Sequence, residues 1–100
     1  MTPLESIVGI YKSKCGMRFD REAARALGLK EQTFNNYIKG RARMPDIAIS
    51  KMAEQADIEP MQIIAAVNLS YKNTPEDEIE YWTDRYERTG TLIQLAATNP

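Results

Sequence analysis

Between Lys30 and Arg43 the chain sets Glu31, Gln32, Thr33, Asn35 and Asn36 close together and follows them with Lys39, Arg41 and Arg43. A side-chain amide donates and accepts at once, so Gln32, Asn35 and Asn36 each match the paired hydrogen-bonding edge of an adenine. The Glu31 carboxylate can accept from a cytosine amine, and the Thr33 methyl can touch that of a thymine. Lysine and arginine just beyond such a group supply positive charge for phosphate oxygens. This is the chemistry of recognition rather than of bond making. The ligand it suits is a polyanion that displays base edges.

Nothing else in the chain competes as a reactive centre. There is no histidine, which removes the commonest general base and most zinc geometries. Cys15 is the single cysteine, so neither an internal disulfide nor a thiolate metal site is expected, and a lone thiol behaves as a small buried hydrophobe. The acidic run Glu76, Asp77, Glu78, Glu80 and Asp84 reads as the start of a helix, where the macrodipole favours carboxylates, with Asp84 paired to Arg88 at i, i+4. The expectations are no enzyme activity, no cofactor, no metal and no small-molecule substrate.

The formal net charge of −1 over 100 residues conceals a division. Residues 1–45 carry nine Lys and Arg against four Asp and Glu, a net +5. Residues 46–100 carry four against ten, a net −6. Such asymmetry points to a polyanion partner for the basic half. A chain of this length suits one domain, and 43% apolar with 27% charged residues is too apolar for a disordered one. No apolar run approaches the roughly 18 residues of a membrane span. The opening lacks the basic start and small-residue cleavage site of a secretory signal, so no membrane contact and a cytoplasmic location are expected.

Helical elements must position these groups. Thr2-Pro3-Leu4-Glu5 fits a capping box with proline in the first turn, and Leu4, Ile7, Val8, Tyr11 and Cys15 form one stripe as far as Gly16. Asp20 is placed to cap a second helix that packs by Ala23, Ala24 and Leu27, and Gly28 suits the left-handed turn that ends it. Leu29 drops inward. A third helix over about 30–39 points Phe34, Tyr37 and Ile38 inward, which makes its aromatics core residues rather than stacking platforms. A fourth, from Pro45 and Asp46 to Ala56, buries Ala48, Ile49, Met52, Ala53 and Ala56. A fifth opens at Pro60 with Met61, Ile64, Ala65 and Val67 toward the core, and 68–73 form a link. Thr74 to Asp77 repeats the capping pattern ahead of a sixth helix, with Ile79, Trp82 and Tyr86 on one stripe and Gly90 closing it. Residues 91–98 add a short last helix.

The second and third helices, joined by a short turn on Gly28 and crossing at Ala24, have the layout of a helix-turn-helix over 20–39. The stretch REAARALGLKEQTFNNYIKGRARMP, followed by AISKMAEQADIEPMQIIAA, resembles the DNA-binding domain shared by phage Cro proteins and phage repressors of the lambda type. The similarity runs from about Leu4 to Val67. It implies an all-α fold, a five-helix lambda-repressor-like helix-turn-helix domain over 1–68, with a C-terminal helical extension over 69–100. It also implies that Glu31, Gln32 and Asn36 stand where the family faces base edges. Two positions depart from the family's pattern. Phe34 stands where Val or Ile is common, a bulk able to tilt the third helix, and Lys30 stands where Ser or Thr usually caps it. The layout of the whole chain is also similar to that of small regulators from filamentous phages and prophages.

The expected function is that of a sequence-specific DNA-binding transcriptional regulator, a repressor occupying operator DNA through helix 30–39 in a bacterial cell or phage-infected host. Glu31, Gln32, Thr33, Asn35 and Asn36 would read bases, while Arg21, Lys30, Lys39, Arg41 and Arg43 would hold phosphates. Beyond the five-helix domain, Ile79, Trp82, Tyr86, Leu92, Ile93 and Leu95 form an apolar set that the same domain or a second subunit must cover. Two-fold pairing would set two reading helices one turn of DNA, about 34 Å, apart, so a homodimer is expected. The alternative is a protein-interaction module, antitoxin- or antirepressor-like, that works through the acidic C-terminal helix.

Overall fold

The Thr2 hydroxyl accepts from the Glu5 N–H at 3.2 Å and Pro3 opens the first turn, so the first helix starts where local chemistry favours it. The computed structural model describes residues 1–98, with side chains through Arg88. Every regular element among them is helical: α1 (Pro3–Lys14), α2 (Asp20–Ala26), α3 (Glu31–Ile38), α4 (Asp46–Ala56), α5 (Pro60–Ser70), a 3-10 turn (Glu76–Glu78) and α6 (Ile79–Thr98). α5 is the central element, touched by α1, α4 and α6, while α2 and α3 pack on each other. Leu4, Ile7 and Tyr11 of α1, Phe34 of α3, Met52 of α4 and Ile63 of α5 meet in one core. No helix among the described residues is long and apolar enough to cross a membrane.

The turn between α2 and α3 is closed from two sides. Gly28 has φ +71°, and its N–H donates to the Arg25 carbonyl at 3.0 Å while that of Leu29 donates to Ala24 at 2.8 Å. That pair of bonds requires a left-handed residue, which glycine adopts without a Cβ penalty. From α4, Gln55 Nε2 donates to the Ala26 carbonyl at 2.9 Å and Lys51 Nζ to that of Leu27 at 3.5 Å. The last carbonyls of α2 are thus satisfied by its own turn and by the helix behind it.

Several local expectations give way to tertiary partners. Asp20 does not cap α2. It is the first helical residue, and its carboxylate is drawn to Lys12 Nζ at 2.7 Å. The Glu22 carboxylate instead accepts from the Phe19 and Arg18 N–H groups at 3.1 and 3.3 Å. α5 presents a different face from the expected one: Ile63 and Ala66 are buried beside Ala65 and Val67, whereas Met61 is exposed and Ile64 half-buried. A helix apolar almost all round has no polar side to orient it, so its neighbours decide. It also runs through residues expected as a link, ending where Ser70 Oγ accepts from the Leu4 N–H at 3.0 Å.

Thr74 does not cap the next helix either. Its hydroxyl donates to the Asn68 carbonyl, and the 3-10 turn after Pro75 has no side-chain cap. Gly90 ends nothing, because α6 continues through it to Thr98 as one helix. A single interior glycine costs a helix about 1 kcal/mol, too little to break one of 20 residues.

Candidate functional site

α3 is anchored from one side. Phe34 is fully buried, Ile38 is nearly so, and Tyr37 and Leu29 pack against the same core. Helical spacing then turns the other face outward. Glu31 and Gln32 are exposed, and Thr33, Asn35 and Asn36 are half-buried. All five residues expected to read bases therefore lie on one short helix with its back to the core. Lys30, at the cap position, makes no side-chain capping bond and is exposed, as are Lys39 and Arg41 beyond the other end.

Asn36 organises this face. Its Oδ1 accepts from Gln32 Nε2 and from Arg41 Nη1, each at 3.4 Å. One amide one turn downstream thus links an exposed amide to an exposed guanidinium. At the other end of α3, Glu31, Gln32 and Asn35 share a shallow concavity of about 430 Å³ with Asp20 of α2. The Asp20 charge is offset by Lys12, which leaves Glu31 as the exposed carboxylate without an ion pair there among the described residues.

Arg43 is placed differently from Lys39 and Arg41. Its Nε donates to Asn68 Oδ1 at 3.0 Å, and its Nη1 donates to the Met44 carbonyl at 3.3 Å and lies 3.9 Å from Asp46. Asn68 is buried and donates in turn to the Ile64 carbonyl at 3.1 Å. The guanidinium thus braces the turn after α3 against α5 while its side chain stays 38% exposed.

Arg21 is exposed, with its guanidinium carbon 4.6 Å from the centre of the Phe19 ring. Phe19 itself is 47% exposed. Helical spacing does not single this residue out, although an aromatic between Arg18 and Arg21 is a signal for a surface that meets a polyanion. Among the described residues no group of three or more His, Cys, Asp or Glu could hold a metal ion.

On α6, Tyr86 packs against the core of its own chain. Trp82 donates through Nε1 to Glu78 at 3.0 Å and meets Tyr81 edge to face at 4.9 Å. Ile79 and Tyr81 are exposed. Asp84 pairs with Arg88 at 3.3 Å. Leu92, Ile93 and Leu95 lie outside the residues whose side chains are described.

No protein-family model, curated protein or solved structure matches the chain significantly. The functional reading therefore rests on the arrangement itself: a short helix backed by aromatic and aliphatic anchors, an outward row of hydrogen-bonding groups, and cations at its two ends.

Proposed function

We propose that the chain is a sequence-specific DNA-binding transcriptional regulator of the phage-repressor kind, built on a lambda-repressor-like helix-turn-helix in which α3 enters the major groove. The observation that carries this reading is the division of α3: Phe34 and Ile38 are buried, Gln32 and Asn36 stand on the opposite side, Glu31 is exposed in the first turn, and Thr33 and Asn35 are half-buried between the two sides. A helix fits the major groove, and amides and carboxylates are the groups that tell its base pairs apart. Lys30, Lys39 and Arg41 would hold the flanking phosphates, and exposed Arg21, over the Phe19 ring in the first turn of α2, would hold another. Arg43, whose Nε serves Asn68 while its side chain stays 38% exposed, would reach a phosphate only through the rest of its guanidinium.

Among the described residues of α6, exposed Ile79 and Tyr81 support a homodimer, which would let two copies of α3 read two half-sites. The same exposed pair, ringed by acidic residues, is what would favour the interaction-module alternative. Selection of bound sites from random DNA tests both. The expected result is an enriched sequence with two-fold symmetry, retained more weakly as salt rises. Failure to retain any DNA at low salt would overturn the reading and favour the interaction module.

A further inference from the structure

Between α4 and α5 lies an open trough of about 570 Å³ that the proposed DNA reading does not use. Its floor is apolar, formed by Ile49, Ala53, Ile58 and Ile64, and its rim carries Asp46, Glu54 and Asp57, with no lysine or arginine among the lining residues. Neither Glu54 nor Asp57 has an ion pair to its carboxylate among the described residues; Lys14 reaches only the Asp57 carbonyl, at 3.3 Å. Asp46 stays 97% exposed despite its long contact with Arg43. The apolar surface extends past the rim. Ile47, 64% exposed, stands three and seven residues before Ser50 and Glu54 and so on their side of α4, and Met61 is 37% exposed beside Pro60.

We propose that this trough docks an amphipathic helix of a partner protein, one that carries apolar residues at i, i+3, i+4 and i+7 flanked by Lys and Arg. Exposed Ile47 and Met61 and half-buried Ile64 supply apolar area around a floor that is already packed, and Glu54 and Asp57, neither in an ion pair among the described residues, select positive charge beside it. The trough runs between two helices, and a groove of that kind takes the apolar stripe of an amphipathic helix. Nucleic acid is repelled by the three carboxylates. A second copy docking through α6 is disfavoured for the same reason, since Glu76, Asp77, Glu78, Glu80 and Asp84 surround its exposed apolar residues. The proposal stands independently of DNA binding.

Titration of the 15N-labelled chain with a 14-residue Leu/Lys peptide of that pattern tests it, using amide shifts as the readout. Saturable shifts confined to residues 46–64 are expected. Ser50→Trp, which fills the trough from an exposed position, should weaken binding about tenfold or more, and Glu54→Lys should weaken it severalfold. The same peptide with Glu in place of Lys should not bind. Scattered or unsaturable shifts, equal binding by the Glu peptide, or wild-type affinity in both variants would overturn the proposal. So would concentration-dependent shifts at 46–64 without any peptide, which would make a second copy the occupant.

Discussion

Gly40 lies so close to Ser70 that a methyl group on its α-carbon would sit 2.0 Å from the Ser70 carbonyl oxygen. The two residues end α3 and α5, and the contact is reinforced where the Lys72 N–H donates to the Gly40 carbonyl at 3.0 Å. Gly40 also has φ +76°, a conformation that costs an L-residue about 1–2 kcal/mol by itself. The end of the candidate reading helix is thus seated directly on the end of the central helix, close to the path into α6.

Gly40→Ala should therefore lower the unfolding free energy by about 2–4 kcal/mol, the sum of left-handed strain and a backbone clash that no side-chain rotation relieves. Urea unfolding measures this. A loss below about 0.5 kcal/mol would show that the two helix ends do not touch as described.

Arg41 and Arg43 stand two residues apart and should behave as different kinds of residue. Arg41→Ala should weaken binding to all DNA sequences about equally and lower the salt slope by about one unit, with little change in stability. Arg43→Ala should instead leave the buried Asn68 amide oxygen without its donor, at a cost of about 1–3 kcal/mol in stability. Thermal melting and salt-dependent DNA retention, measured on both variants, separate the roles.

Gln32→Ala tests base reading. It should cost about 1–3 kcal/mol on the preferred site and relax the preference at one base pair. Equal losses on preferred and random DNA would assign Gln32 to phosphate contact or to support of Asn36.

Tyr11 supplies a pH dependence. Burial, with a smaller contribution from nearby Cys15, pushes its phenol up from 10 to about 12, and its hydroxyl donates to Gln55 Oε1. The folded chain therefore holds this proton more tightly than the unfolded one. The resulting stability is fully present below pH 10 and is lost as pH rises from 10 through about 12, by roughly 2–3 kcal/mol. Unfolding of the wild type and of Tyr11→Phe across that window isolates the effect, because the variant should lack this part of the slope.

Local chemistry was enough to place much of this fold. Thr2 and Pro3 start α1, Gly28 ends α2 in a left-handed turn, and the spacing of Ala48, Ile49, Met52, Ala53 and Ala56 orients α4. These features depend on contacts within one turn of helix or on a contrast between apolar and polar faces, and both are written in adjacent residues. The side of α3 that carries Gln32 and Asn36 was legible for the same reason, since Phe34 and Ile38 declare the inner side of the helix.

Tertiary structure alone decided which partner each ambiguous group would take. Arg43 stays partly in solvent, yet its Nε takes Asn68, 25 residues away, as its partner. Asp20 leaves the cap position for Lys12, and Thr74 leaves its own helix for the Asn68 carbonyl. The apolar sequence of α5 permits several faces, and the packing of α1, α4 and α6 selects one. A side chain able to make either of two bonds chooses between distant atoms whose separation the order of residues does not reveal. Folding brings those atoms within 3 Å or so and makes the choice.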